Sequence, residues 1–196
     1  MKRCWSTTDE LYLRYHDEEW GRPVRDERGL YERLCLEGFQ SGLSWLTILR
    51  KREGFRAAFE GFDPDVVARF GERDVERLLV DESIVRHRGK IEAAITNARA
   101  TVALRERSPL DELFWGSAPE HHRAPGSPAD WHGSTPESTA LAKELRRAGF
   151  RFVGPTTVYA ALQACGIVND HLSDCWVRGA VEAERVVANA RTRHPS

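Results

Sequence analysis

Apolar residues recur at helical spacing through nearly the whole chain, and strand-like alternation is almost absent. The longest such segment runs from Gly89 to Arg107, where Ile91, Ile95 and Ala98 belong to one apolar face. Offsets of three and four residues place side chains on the same side of an α-helix. Only the segment from Arg151 to Gly154 is convincingly extended. The sequence therefore predicts an all-α fold.

Capping residues and prolines mark where the helices begin and end. Thr7 to Glu10 opens the first helix, Asp26 caps the second, and Asp63 precedes a proline at the first helical position. Asn169 and Asp170 are predicted to cap a short helix over 171–175. The remaining predicted helices cover residues 44–53, 72–79, 89–107, 110–115, 138–148, 155–164 and a terminal segment 179–193.

Composition excludes several classes of protein. The 196 residues carry a formal net charge of −1, so nucleic-acid binding would need a local basic face. Residues 49–52 and 84–90 are the candidates, and both are interpreted first as solvated helix ends. No apolar run approaches the roughly 20 residues that span a bilayer, and the N-terminus has no signal-peptide core. We expect a cytoplasmic protein without a membrane partner.

The domain organisation follows from a shift in composition. Residues 117–135 are rich in Pro, Gly, Ser and His and are predicted to form a flexible loop, with His121 and His122 solvated. This loop lies within one domain that covers residues 1–178. Residues 179–196 are predicted to be a C-terminal tail, mainly helical.

The segment Leu36 to Trp45 joins two apolar runs and carries chemistry that a plain connection does not need. Glu37 lies among apolar neighbours, where an acid costs several kcal/mol unless it is paired or used. Gly38 and Gly42 permit close backbone approach. Trp45 offers a flat face for a base or another planar ligand. The alternative is a tight helix corner with a surface acid and a core tryptophan.

Cysteine and histidine near the two ends of the chain suggest a metal site. Cys4 and His16 lie near the start, and His171 and Cys175 near the end. Two thiolates and two imidazoles fill a tetrahedral zinc shell, and a closed shell is structural. The alternative is four unrelated side chains. Cys35 and Cys165 have apolar neighbours and are predicted to be buried.

A glycine-bracketed turn separates two of the predicted helices. It runs from Gly149 to Thr157, with Pro155 at the first position of the second helix. Such a helix-hairpin-helix can present backbone N–H groups to a phosphate oxygen. The candidate contacts are Gly149, Val153, Gly154 and Thr156. A plain helical corner is the alternative.

Taken together, these segments resemble the 3-methyladenine DNA glycosylase I family. The match covers residues 3 to about 176, and its segments are long and unusual. They are Arg3–Cys4, Y-L-R-Y-H-D-E-E-W-G (12–21), C-L-E-G-F-Q-S-G-L-S-W (35–45), R-H-R-G-K-I (86–91), 149–157 and Q-A-C-G-I-V-N-D-H-L-S-D-C (163–175).

The resemblance implies an all-α helix-hairpin-helix glycosylase domain whose N- and C-terminal parts are tied by one structural Zn²⁺ per chain. It implies that Cys4, His16, His171 and Cys175 are the ligands. It also implies a monofunctional base-excision enzyme that hydrolyses the N-glycosidic bond of 3-methyladenine in double-stranded alkylated DNA. We expect it to act as a monomer.

The resemblance also implies roles for the residues around the base. Glu37 would attract the cationic base, and Trp45 would stack on it. Tyr12, Tyr15, Trp5 and Trp20 would complete the pocket. A wedge at the DNA gap would consist of Gln40, Ser41, Gly42 and Leu43.

Three alternatives stay open. Asp170 lies roughly where many helix-hairpin-helix glycosylases carry a catalytic aspartate, but it serves equally well as a helix cap. The chain as a whole could instead be a non-catalytic, zinc-stapled DNA-binding module, against which Glu37 argues. A hydrolase with an open zinc is the third alternative, and four protein ligands argue against it.

Overall fold

The computed structural model describes residues 1–193, with side chains described as far as Ala190. Within this range the chain is all helical, with ten α-helices and no β-strand, as predicted. The α-helices are α1 (Glu10–Glu18), α2 (Glu27–Gln40), α3 (Trp45–Ala58), α4 (Pro64–Val67), α5 (Glu72–Val80), α6 (Arg88–Leu104), α7 (Leu110–Gly116), α8 (Pro136–Arg147), α9 (Pro155–Ala164) and α10 (Arg178–Arg193). None of these helices is long and apolar enough to cross a bilayer.

Capping side chains determine where several helices begin, and the predicted caps Asp26 and Asp63 are among them. The side chains of Asp9, Asp26 and Ser44 each accept a backbone N–H from the first turn of α1, α2 and α3. Asp63 does the same for α4, with Pro64 at the first helical position. The local signals in the sequence therefore fix these starts to within a residue or two.

Helix α2 forms the centre of the fold. It packs against α3, α6, α7 and α9, and most of its surface is buried. The ring of Phe39 near its C-terminus packs against Phe55 at 4.5 Å and Phe59 at 5.8 Å between ring centroids. This burial on nearly every face explains why an acid on α2 has little access to water.

The terminal helix α10 docks on the body. Val181 is fully buried, and Arg25 donates a hydrogen bond to the carbonyl of Ala188 over 2.6 Å. The predicted tail helix is thus present from Arg178 to Arg193, while residues 194–196 lie outside the described range.

Two local predictions are wrong. No helix forms over 171–175, where the chain makes irregular turns. Asp170 does not act as a cap, because its carboxylate accepts hydrogen bonds from Tyr159 and Gln163 instead. The segment 151–154 is not a strand, because Phe152 has a left-handed backbone with a φ of 54°.

Candidate base pocket and metal centre

A pocket of about 360 Å³ opens where α1 meets the junction of α2 and α3. Tyr12 and Tyr15 on α1 face Glu37 near the end of α2 and Trp45 at the start of α3. Trp5, Trp20 and Gln40 also line it. The structure therefore brings together the predicted acid and all five predicted aromatic residues, in a volume suited to a small planar ligand.

The pocket walls are aromatic rings in mutual contact. Trp5 lies 5.1 Å from Tyr12 and 5.0 Å from Trp20 between ring centroids, and Tyr15 lies 5.3 Å from Trp45. Rings packed in this way lose little conformational freedom when a ligand enters. The aromatic walls around the carboxyl group of Glu37 are consequently preorganised.

Glu37 is buried without a partner. Its exposed fraction is 7%, and within the described chain it has no hydrogen bond or ion pair. Burial raises the pKa of Glu37 to about 8, and the positive charge of Arg33 offsets this only in part. An unpaired buried acid that faces a pocket is typical of a functional group rather than a structural one.

This raised pKa predicts an unusual dependence of stability on pH. The folded pKa of about 8 lies above the ordinary 4.5, so the stability contributed by protonated Glu37 is complete below pH 4.5. It is lost as the pH rises to about 8. Glu37→Gln stays neutral, and each pKa unit is worth about 1.4 kcal/mol. Between pH 4.5 and pH 8, the free energy of unfolding of wild type should therefore fall by up to about 4 kcal/mol relative to that of Glu37→Gln.

Urea unfolding of both proteins across this pH range measures the effect. Glu32→Gln is the matched control, because Glu32 lies on the same helix with 8% exposure but pairs with Arg56 at 2.7 Å. That control should lose stability at neutral pH. Parallel pH profiles for Glu37→Gln and wild type would contradict the assignment.

Two further polar groups at the pocket lack partners. The indole N–H groups of Trp5 and Trp45 are buried and make no hydrogen bond within the described chain. Buried donors are almost always satisfied in native proteins. These two indole donors and the carboxyl group of Glu37 are thus buried polar groups without partners within the described chain.

Four pocket residues are not identified by the sequence analysis: Trp131, His132, Ala160 and Gln163. The ring of Trp131 lies 6.4 Å from Trp5 and 6.3 Å from Trp20, so the 117–135 segment closes one side of the pocket. A lone tryptophan in a Pro- and Gly-rich loop was the available signal. Gln163 stood in a segment that carries the resemblance.

Asp170 binds two residues of this loop, His122 through its carboxylate and Trp131 through its backbone carbonyl. Its carboxylate accepts hydrogen bonds from Tyr159 at 2.7 Å and Gln163 at 2.6 Å, and it pairs with His122 at 2.8 Å. Burial raises the pKa of Asp170, but these hydrogen bonds outweigh it, and the pKa lies below its usual range. The prediction that His122 is solvated is therefore wrong, since a buried carboxylate recruits it.

The four predicted metal ligands converge at the other side of α1. Their donor atoms all lie within 4.8 Å of one another, and all four residues are buried. Nδ1 of His171 lies 3.3 Å from Sγ of Cys4 and 3.6 Å from Sγ of Cys175. Sγ of Cys175 also lies 3.6 Å from Nε2 of His16. A tetrahedral zinc shell has sulfur–nitrogen edges of about 3.5 Å. The donor set and its spacing fit zinc.

Surrounding groups fix which nitrogen of each imidazole faces the cluster. Nδ1 of His16 lies 2.7 Å from the carboxylate of Asp17, which Arg3 holds in place. Nε2 of His171 lies 2.9 Å from the carbonyl of Trp20. Metal-binding histidines commonly engage their other nitrogen in this way. The cluster can therefore bind a metal without rearrangement of its histidines.

Most of the residues that are predicted to contact DNA lie at the surface. Between α2 and α3, Gly42 has a φ of 80° and Leu43 is 41% exposed. Between α8 and α9, Gly149 has a φ of 101°. Gly154 precedes α9 without a side-chain cap, which leaves the first backbone N–H groups of that helix open to an anion. Thr156 is exposed, whereas Val153 is buried.

The two basic segments are engaged within the protein. Arg50 and Arg52 pair with Asp9 and Glu19, and Lys51 donates to the carbonyl of Glu82. In the second segment Arg88 pairs with Glu72 and Glu76. Neither segment forms an unopposed positive face.

The helical fold of the described residues superposes on solved DNA glycosylases, which assigns the chain to the class of helical DNA-base glycosylases. The match to known proteins is more specific. The chain belongs to the methyladenine glycosylase family, whose model matches residues 5–178.

Similar proteins agree in sequence and fold. DNA-3-methyladenine glycosylase 1 of Escherichia coli is 48% identical over 181 residues, which cover 89% of this chain and 96% of that protein. A crystal structure of a 3-methyladenine DNA glycosylase I superposes with a TM-score of 0.85 at 48% identity, covering 89% and 98% of the two chains. A structure of 3-methyladenine DNA glycosylase I from Staphylococcus aureus, solved to explain 3-methyladenine recognition, superposes with a TM-score of 0.84 at 35% identity. The match covers 89% of this chain and 95% of that one.

Proposed function

We propose that this protein removes 3-methyladenine from alkylated double-stranded DNA by hydrolysis of the N-glycosidic bond. The observation that carries the proposal is the carboxyl group of Glu37, buried without a partner in a pocket walled by aromatic rings. The family membership and the similar proteins support the same activity.

The pocket selects the lesion by charge. A 3-methylated adenine in DNA is cationic, and a cation favours the ionised form of Glu37 at its side. Trp45 stacks on the base, a cation–π contact worth about 1–2 kcal/mol in a desolvated site. Unmodified adenine is neutral and gains neither contribution to the same extent. Glu37 is therefore the catalytic residue, and Tyr12, Tyr15, Trp5 and Trp20 shape the slot.

The positive charge also activates the leaving group. The departing base carries the electron pair of the broken bond and becomes neutral, so little acid catalysis is required. Water attacks the sugar carbon as the C–N bond breaks, and the proton that it loses passes to bulk solvent. Asp170 is committed to Tyr159, Gln163 and His122, and this argues against it as the catalytic acid or base.

The remaining parts serve DNA binding and stability. The wedge segment Gln40–Leu43 fills the gap left by the extruded nucleotide. The hairpin, through Gly149, Val153, Gly154 and Thr156, holds a backbone phosphate. One structural Zn²⁺ on Cys4, His16, His171 and Cys175 ties the first residues to the last part of the glycosylase domain, residues 1–178. The proposed enzyme acts as a monomer.

Release of bases from methylated DNA tests the proposal. Purified protein is incubated with duplex DNA treated with a methylating agent, and the released bases are identified by chromatography and mass spectrometry. We expect 3-methyladenine to be among the released bases and unmodified adenine to stay in the DNA. Binding of DNA without release of any base would favour the non-catalytic module. Loss of release on zinc removal from a protein that stays folded would favour an open catalytic zinc.

A further inference from the structure

Lys90 on α6 is a buried cation that contacts the C-terminal end of α2. Its exposed fraction is 8%, and Nζ donates hydrogen bonds to the carbonyls of Phe39 at 2.9 Å and Ser41 at 2.5 Å. The last carbonyls of a helix lack partners within it and carry partial negative charge. Lys90 satisfies these groups at the point where the wedge segment Gln40–Leu43 begins. A buried ammonium group is costly to keep unless it has such partners.

Asn97 makes an equivalent contact with the hairpin. It is 3% exposed, its Oδ1 accepts the backbone N–H of Arg151 at 2.7 Å, and its Nδ2 donates to the carbonyl of the same residue at 3.1 Å. The next residue, Phe152, has the left-handed backbone. A single amide side chain therefore fixes both polar groups of the backbone directly before the strained turn of the hairpin.

Both side chains belong to α6 and are seven residues apart, which is two turns, so they lie on one face about 10 Å apart along the helix axis. The hairpin also packs against the last turn of α2, directly before the wedge segment. A Cβ at Gly38 on α2 would lie 3.6 Å from the backbone oxygen of Phe152. Helix α6 is thus a common support for both segments.

We propose that Lys90 and Asn97 are positioning residues that hold the wedge segment and the hairpin in the relative placement needed to engage one bent duplex. The proposal rests on the proposed function, which makes both segments DNA contacts. Neither side chain lines the base pocket. Their loss should therefore impair recognition of duplex DNA and spare recognition of the free base.

Two binding measurements on the full chain test the proposal. Affinity for a duplex with a central tetrahydrofuran abasic-site analogue is measured by fluorescence anisotropy, and affinity for free 3-methyladenine by quenching of tryptophan fluorescence. The variants are Lys90→Met and the nearly isosteric Asn97→Asp, which keeps one of the two hydrogen bonds. Lys51→Met is the matched control, because Lys51 also donates to a carbonyl, that of Glu82 at 2.6 Å, away from both segments.

We expect Lys90→Met and Asn97→Asp to weaken duplex binding about tenfold while free-base binding stays within twofold of wild type. Lys51→Met should change neither. Equal losses in both measurements would show a merely structural role, and unchanged duplex binding would show no role, so either result overturns the proposal. A wild-type chain that binds both probes but releases no base from methylated DNA contradicts the proposed function alone.

Discussion

Glu37→Gln protein is expected to release 3-methyladenine from methylated DNA at least about 100-fold more slowly than wild type. The substitution keeps the size of the side chain and removes the negative charge that Glu37 can develop next to the base. Loss of one preorganised electrostatic group at a reacting centre typically costs 10²–10³-fold in rate. Single-turnover release at pH 7.5, with enzyme in excess over lesions, measures the effect on the chemical step.

The control again uses Glu32, which is as buried as Glu37 but paired with Arg56 and outside the pocket. Glu32→Gln should release the base at a rate close to that of wild type at a temperature where it is folded. A Glu37→Gln protein that retains more than half of the wild-type rate would remove Glu37 from the mechanism.

Loss of a metal ligand is expected to produce the largest loss of stability. The proposed zinc closes a loop of about 170 residues between the ends of the domain, and Cys175→Ala, which removes one of its four ligands, is expected to lose the ion and open this cross-link. By chain entropy, closing a loop of this size contributes on the order of 4–5 kcal/mol. For a chain of this length that corresponds to a fall in the melting temperature of roughly 10 °C or more. Calorimetry of the zinc-loaded proteins gives the difference.

Cys165→Ala is the matched control, because Cys165 is equally a buried free thiol but lies outside the cluster. It should bind about one zinc per chain and lose only the small amount expected for a cavity. A chelator should lower the melting temperature of wild type and leave that of Cys175→Ala unchanged. Wild-type protein that contains no zinc, or is unaffected by its removal, would contradict a structural metal.

Local signals in the sequence were sufficient to predict most of the helices. A capping side chain acts on backbone groups two or three residues away, so Asp26 and Asp63 could be recognised without knowledge of the fold. The prediction for 171–175 failed because the same kind of side chain, Asp170, is taken by partners on α9 and on the loop. Tertiary hydrogen bonds override local preference, and they are invisible in a single sequence.

The residues of the candidate site likewise fall into those that the sequence revealed and those that only the fold brings together. Glu37 and Trp45 stood out because an acid and an indole flank a glycine-containing junction, and the metal ligands stood out by residue type. Trp131 and Gln163 enter the pocket only through long-range packing of the loop and α9. Nor does composition reveal that Lys90 points inward, because its neighbours read as a solvated basic segment.

The central claim is that the pocket prefers a positively charged purine because Glu37 can ionise next to it. Relative affinity for 3,9-dimethyladeninium, a permanent cation, and neutral 9-methyladenine measures this preference without DNA. At pH 7 we expect the cation to bind at least about tenfold more tightly, a difference of about 1.4 kcal/mol. The ratio of the two affinities should rise between pH 6 and pH 9, because a larger fraction of Glu37 is ionised at higher pH. In Glu37→Gln the ratio should fall to about one. Equal affinities for the two purines, or a ratio that survives the substitution, would contradict the account.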